Sequence, residues 1–295
     1  MSDDMTKTAK WNCLDGLSME ATSRDIPNLM AMASRFAPGT IVAIPYLANE
    51  SDADRLHAAE VIRDLGFAPM PHVAARHISS RCAFERLVEG WASRARVERL
   101  LVLAGDYARP TGPFEDALAL LQTSLLPRHG IHTAVISGYP EGHPKISDQC
   151  LAGAMHDKLA VIADQGLIAE IATQFCFSAS RLLAWLEELR GEGVMAPVRL
   201  GIPGPANLRT LLRYAALCGV SASSASLARY GFSLTKLRSH SGPDKLIHAL
   251  ASGLVSPRHG QVVAHFYPFG GLSSLVTWFE RQRFEYEPLV KAGLS

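Results

Sequence analysis

Polar side chains recur in this chain where apolar runs stop. Glu20 follows "LSM", His72 sits in "PMPHVAA", and Asp106 closes "RLLVLAGD". Tyr139 and His143 lie in "GYPEGHP", pinned by Pro140 and Pro144; Gln174 stands in "IATQFCF" and Tyr267 in "VVAHFYPF". Each has an ordinary structural use, since a strand-end aspartate often caps a helix and a buried glutamine often satisfies backbone. Together they form a usable set. A carboxylic acid can give a proton, a carboxylate can sit beside a developing cation, an amide can orient a ring, and aromatic and imidazole rings can stack on one. That combination suits a proton-assisted redox step on a bound heterocycle. Other chemistries lack their signatures. There is no GxSxG elbow and no phosphate-binding P-loop, and the histidines are not spaced as zinc ligands on a helix. "GIPGPAN" lacks GxGxxG spacing and reads as a tight strand-to-helix loop with Asn207 at the helix start.

The elements that must carry these residues are eight apolar runs, at 17–21, 40–46, 67–75, 99–106, 132–139, 170–177, 197–204 and 262–269. They are apolar throughout rather than alternating, which points to strands of a parallel sheet buried on both faces. Amphipathic stretches separate them. In "ESDADRLHAAEVIRDLG", Leu56, Ala59, Ile62 and Leu65 recur at three-residue spacing behind a Ser51/Asp54 capping pair. "SASRLLAWLEELRGEG" stops at Gly191 and Gly193. Eight such units predict a (β/α)8 barrel, with the candidate residues on its carboxyl-end rim. A doubly wound open sheet shares the alternation. Residues 219–261 read as extra helices before the eighth strand, within a single domain spanning 1–295.

Composition narrows the partners. The formal net charge of +1 gives no bias toward nucleic acid or an anionic membrane. Arg94, Arg96 and Arg99 read as a solvated face. The five cysteines are unpaired in spacing and suggest neither a disulfide framework nor a zinc site, with Cys176 a small core residue. The polar start "MSDDMTKTAK" has no signal-peptide core, and no run approaches a membrane span. A cytoplasmic homo-oligomer is the expectation.

The order of motifs resembles the methylenetetrahydrofolate reductase family over nearly the whole chain. "LAGD" is similar to the strand-four motif ending in Gly-Asp, "GYPEGHP" to the YPxxHP loop, and "TQFCF" to the TQxxF strand. "PHVAARH" carries the strand-three histidine, "LANESDADRLHAAEVI" resembles the entry to the second helix, and "LSMEAT" keeps the glutamate of the FEFFPP motif. The resemblance implies a barrel holding FAD along its strand ends, with NADH or NADPH as hydride source and a tetrahydrofolate as substrate. It gives Glu20 the role of general acid opening the imidazolidine ring. It makes Asp106 the counterpart of the aspartate that stabilises the cationic intermediate near flavin and pterin, and Gln174 the counterpart of the pterin-contacting glutamine. By the same resemblance, His72, Gly105, Asp106, Ser137, Tyr139, His143 and Lys158 correspond to cofactor-binding positions. No metal is implied.

The chain departs from the family at several points. Ala104 stands where an arginine precedes Gly-Asp, Pro45 where a threonine follows strand two, and Gly271 where strand eight supplies an arginine. "LAGAMHDKLAVIAD" offers Asp157 and Lys158 for the helix set that grips the flavin phosphates. Two other readings therefore stand beside the flavoprotein: direct hydride transfer from NADH to the folate, and a non-catalytic barrel that binds folate or flavin as a subunit.

Overall fold

In a computed structural model of the chain, the residues described are 11–220, Tyr230 and 241–292, with side chains to residue 283. Eight strands form a closed parallel barrel: β1 Ser18–Glu20, β2 Ile41–Ile44, β3 Ala68–Ala74, β4 Arg99–Leu103, β5 Thr133–Gly138, β6 Ile168–Thr173, β7 Val198–Pro203 and β8 Val262–Tyr267. Each falls in the region of the corresponding apolar run. β8 pairs with β1 through Ser18↔His265 and Met19↔Phe266, so the sheet has no free edge and the open-sheet alternative is excluded.

The helices follow the strands: α1 Ile26–Met32, α2 Asp52–Asp64, α3 Arg81–Ala95, α4 Ala117–Leu121, α5 Leu125–Arg128, α6 Asp148–Asp164, α7 Ala179–Gly191 and α8 Leu208–Cys218. After α8 come α9 Asp244–Gly253 and α10 Ser256–His259 before β8, then α11 Leu272–Ala292. The extra helices expected in 219–261 are thus seen over 244–259, and residues 221–229 and 231–240 lie outside the described residues. Local chemistry sets several boundaries. Ser51 and Asp54 close a reciprocal capping box on α2, and Asn207 accepts from Thr210 N at the start of α8. Pro69 and Pro71 in β3 have no N–H to give, and the β3–β4 register begins only at His72↔Leu101.

Burial explains why the strands do not alternate. Outward side chains such as Val42, Ile44, Leu100, Val102 and Ile136 pack under the helices. Inward ones — Ile41, Ala43, Met70, Leu101, Val135 and Ala172 — fill the middle of the barrel. Polar groups seal its amino end. Glu170 binds Arg99 at 2.9 Å and Arg199 at 2.6 Å, and the two guanidiniums hold its carboxyl below the usual range against the opposing effect of burial. Arg99, expected on a solvated face, therefore belongs to the barrel floor, because it starts β4 on the inward register. Among the described residues no helix is long and apolar enough to cross a membrane, and no group of three His, Cys, Asp or Glu side chains could hold a metal ion.

Candidate functional site

Glu20 ends β1 at the carboxyl mouth of the barrel, its side chain 18% exposed. Burial raises its carboxyl from the ordinary 4.5 to about 8, and no cation opposes that shift. The group is therefore a neutral acid at neutral pH, reachable through the mouth. Beside it lies His72, whose Nε2 is 4.0 Å from Glu20 Oε1 and has no hydrogen-bond partner. Burial and the nearby Arg55 guanidinium lower the His72 imidazole to about 3, so the ring is neutral. The sequence placed His72 at a strand end on the rim. β3 runs on to Ala74, which leaves His72 inside the strand and on the barrel axis. His265, not anticipated from the sequence, enters from β8. Its Nδ1 is 2.8 Å from Ser18 Oγ, its Nε2 is unpartnered, and burial holds it too at about 3.

A wall of rings and amides rises beside Glu20. Tyr267 donates its hydroxyl to Thr173 O at 3.0 Å; burial, with Glu20, Cys218 and Tyr139 nearby, keeps that hydroxyl un-ionised. Gln174 donates to Cys218 O at 2.9 Å, tying the end of β6 to the end of α8. Phe269 stacks on Tyr214 with centroids 4.2 Å apart, and Phe175 meets Phe269 edge-on at 4.9 Å. The "GYPEGHP" loop follows β5 and brings Tyr139 near Tyr267. Tyr139 and His143 meet edge to face, Arg181 donates to Pro140 O, and the Cys176 thiol lies 3.0 Å from Glu141 Oε1. Cys176 is a fully buried core residue, as its apolar setting suggested.

Asp106 sits elsewhere on the rim. It lies three residues beyond β4, with its side chain 85% exposed and Oδ1 2.8 Å from His77 Nε2. His77 is clasped between Tyr46 and Tyr107, with centroids at 4.4 and 3.6 Å, and Arg55 covers the Tyr46 ring. Gly105 is required here: its φ is +89°, and a Cβ would meet the His77 ring at 2.9 Å. The structure thus joins Glu20, Gln174 and Tyr139 through Tyr267 and Cys218, while Asp106 pairs with His77. His77 is legible in "PHVAARH", where the strand-three histidine drew attention instead.

A cavity of about 690 Å³ opens between the ends of β4 and β5 and helices α4, α6 and α7. Ala104, Ser137, Tyr139 and Lys158 line it; His72, Gly105, Asp106 and His143 do not. The volume suits a nucleotide-sized ligand. The charges do not suit a flavin diphosphate. Asp116, Asp148, Asp157, Glu188 and Glu192 face the cavity against only Arg76, Lys158 and Arg181. Arg76 is engaged with Glu115 O and Tyr107 O, and Arg181 with Glu188. Burial lowers the Lys158 ammonium, with Asp116 opposing. Asp148 also occupies the first turn of α6, where a helix would otherwise favour phosphate. The residues present do not make a diphosphate site.

The fold has counterparts among solved structures. It is similar to a protein from Clostridium thermocellum that binds two copies of 5-methyl-5,6,7,8-tetrahydrofolic acid, at 12% identity over 85% of this chain and 87% of that one, with a TM-score of 0.57. It is also similar to dihydropteroate synthase from Thermus thermophilus, at 16% identity over 91% and 95% of the two chains, with a TM-score of 0.48. At such identities the likeness is one of fold. No protein-family model matches the sequence.

Proposed function

We propose that the carboxyl mouth of this barrel binds a reduced folate, and that Glu20 is the general acid in hydride transfer to its one-carbon unit. The observation that carries the reading is the setting of Glu20: a carboxyl at the end of β1, part-exposed at the mouth, beside Tyr267 and Cys218 and with no cation partner among the described residues, where burial raises its pKa to about 8. With 5,10-methylenetetrahydrofolate bound, Glu20 gives its proton to N10 and the C–N10 bond breaks, leaving an N5 iminium. A nicotinamide, bound as second substrate, delivers hydride to the iminium carbon. The products are 5-methyltetrahydrofolate and the oxidised nicotinamide. The same groups run the reverse oxidation, with the cofactor ratio setting the direction. Gln174 and the Tyr267 ring orient the pterin, and the aromatic wall of Tyr214 and Phe269 flanks its tail. The Clostridium thermocellum barrel that binds 5-methyltetrahydrofolic acid supports a folate in a barrel of this shape.

A binding barrel without turnover is the second reading, favoured by Asp106. Its carboxylate pairs with His77 and faces solvent rather than the Glu20 neighbourhood. Incubating the purified protein with methylenetetrahydrofolate and NADH or NADPH separates the two. Formation of 5-methyltetrahydrofolate matched to nicotinamide oxidation supports the reductase. Tight binding of 5-methyltetrahydrofolate with no turnover in either direction supports the binding barrel, and no folate binding at all removes both.

A further inference from the structure

Two buried imidazoles lie beneath the proposed acid, and proton and hydride transfer as described leave both idle. His72 enters the barrel axis from β3 and His265 from β8, and the Nε2 atoms of both are buried without a hydrogen-bond partner. Unpaired polar atoms in such a place cost free energy, and in folded proteins they are uncommon unless they serve a site. Glu20 Oε1 lies 4.0 Å from His72 Nε2, and the His265 ring approaches His72 from the other side of the barrel. Catalytic hydrogen bonds are often long in the unliganded enzyme and close when substrate binds, directly or through one water.

We propose that His72 is the positioning residue for Glu20: its Nε2–H donates to Oε1, fixes that oxygen as the carbonyl, and leaves the acidic proton on Oε2, directed to the mouth of the barrel. The surroundings are arranged for a neutral donor. Arg55 on α2 donates to His72 O at 3.1 Å and opposes a second positive charge on the ring. His265 faces it from β8, seated on Ser18 and near Arg199. Glu20 itself meets Tyr267 and Cys218 on its other sides, neither of them a cation. An imidazolium at position 72 would pair with a carboxylate and remove the acid. A neutral imidazole with hydrogen on Nε2 leaves the acid intact and selects which oxygen carries it.

This assignment rests on the role proposed for Glu20, but its test does not depend on turnover. The infrared carbonyl band of the protonated Glu20 is isolated in the unliganded protein as the difference between wild type and Glu20→Gln. In His72→Leu that band should move to higher frequency as the hydrogen bond to the carbonyl is lost. In His72→Gln, which returns a side-chain N–H donor, it should move back. With folate, His72→Leu should lower kcat by about 10²-fold, the cost of misplacing a reacting group by about an ångström, with KM within a few-fold of wild type. His72→Gln should recover most of that loss. Nitrogen-15 shifts of wild-type His72 should place the proton on Nε2, a measurement that requires no variant to fold. A proton on Nδ1 alone, an unmoved band in His72→Leu, or a glutamine variant as impaired as the leucine one would overturn the assignment. A shifted band in a protein that turns over no folate would keep His72 as the partner of Glu20 and remove the reductase reading instead.

Discussion

Replacing Glu20 by glutamine should change how stability depends on pH, by an amount that follows from its surroundings. In the folded chain the carboxyl titrates near 8, against 4.5 when exposed. Between those values the folded state keeps a proton that the unfolded state has released. Unfolding is then favoured as pH rises, by about 1.4 kcal/mol per pH unit, or about 3 kcal/mol from pH 4.5 to 7. Above pH 8 the contribution is fully lost and the curve flattens. His72 and His265 act in the opposite sense. Each falls from 6.5 to about 3 on folding, so below pH 6.5 the unfolded chain takes up protons that the folded chain refuses, and stability is lost as the pH is lowered. The two histidines outweigh the single carboxyl below pH 6.5, and Glu20 acts alone above it, so wild type should lose stability on both sides of about pH 6.5. Glu20→Gln keeps the size of the side chain and removes only the Glu20 limb, so its stability should hold level between pH 6.5 and 8. Urea unfolding of both proteins at intervals from pH 5 to 8 reads the difference directly, with the histidine contribution cancelling. Parallel curves would show that Glu20 is an ordinary solvated carboxylate and no resident acid.

Other expectations follow from specific contacts. Glu170→Ala leaves Arg99 and Arg199 without their counter-ion in the barrel floor and should cost about 3–5 kcal/mol in urea unfolding. A loss below about 1 kcal/mol would mean the floor is hydrated. Gly219 has φ +66°, and a Cβ there would stand 2.6 Å from Pro144 Cγ, so Gly219→Ala should destabilise by about 1–3 kcal/mol. The same variant should weaken folate binding by displacing the loop that carries Tyr139, which a titration of intrinsic fluorescence can follow. The acidic lining of the cavity predicts that the purified protein shows no flavin absorption and that added FAD leaves its melting temperature unchanged. A stoichiometric flavin in the purified protein would refute the charge argument.

The barrel was legible because its strands are apolar on both faces and its helices carry their own start signals, as at Ser51 and Asn207. Residues at the end of a strand could be placed: Glu20 and Gln174 stand where the pairing ends. His72 could not be, because a run of apolar residues does not show where pairing stops, and two more residues of β3 carry the imidazole from the rim to the axis. His265 was hidden inside "VVAHFY" for the same reason: only the inward register of β8 shows that it faces His72. Arg99 was misplaced because a charge beside other charges looks solvated until its partner, Glu170 on β6, is brought to it by the closure of the barrel. The pairing of Asp106 with His77 depends on a turn after β3 that aims His77 across to the β4 loop, a contact no local pattern encodes.

The central claim is that Glu20 supplies the proton that opens the folate ring, and the rate of that step in Glu20→Gln tests it most directly. Glutamine keeps the volume and a hydrogen-bonding head but has no acidic proton. In rapid mixing with methylenetetrahydrofolate and the nicotinamide that wild type uses, the variant should bind both substrates with affinities close to wild type. Its single-turnover formation of 5-methyltetrahydrofolate should fall by about 10²–10⁴-fold, the range for loss of a general acid. Single-turnover rates within a few-fold of wild type would contradict the account and place the acid on another residue.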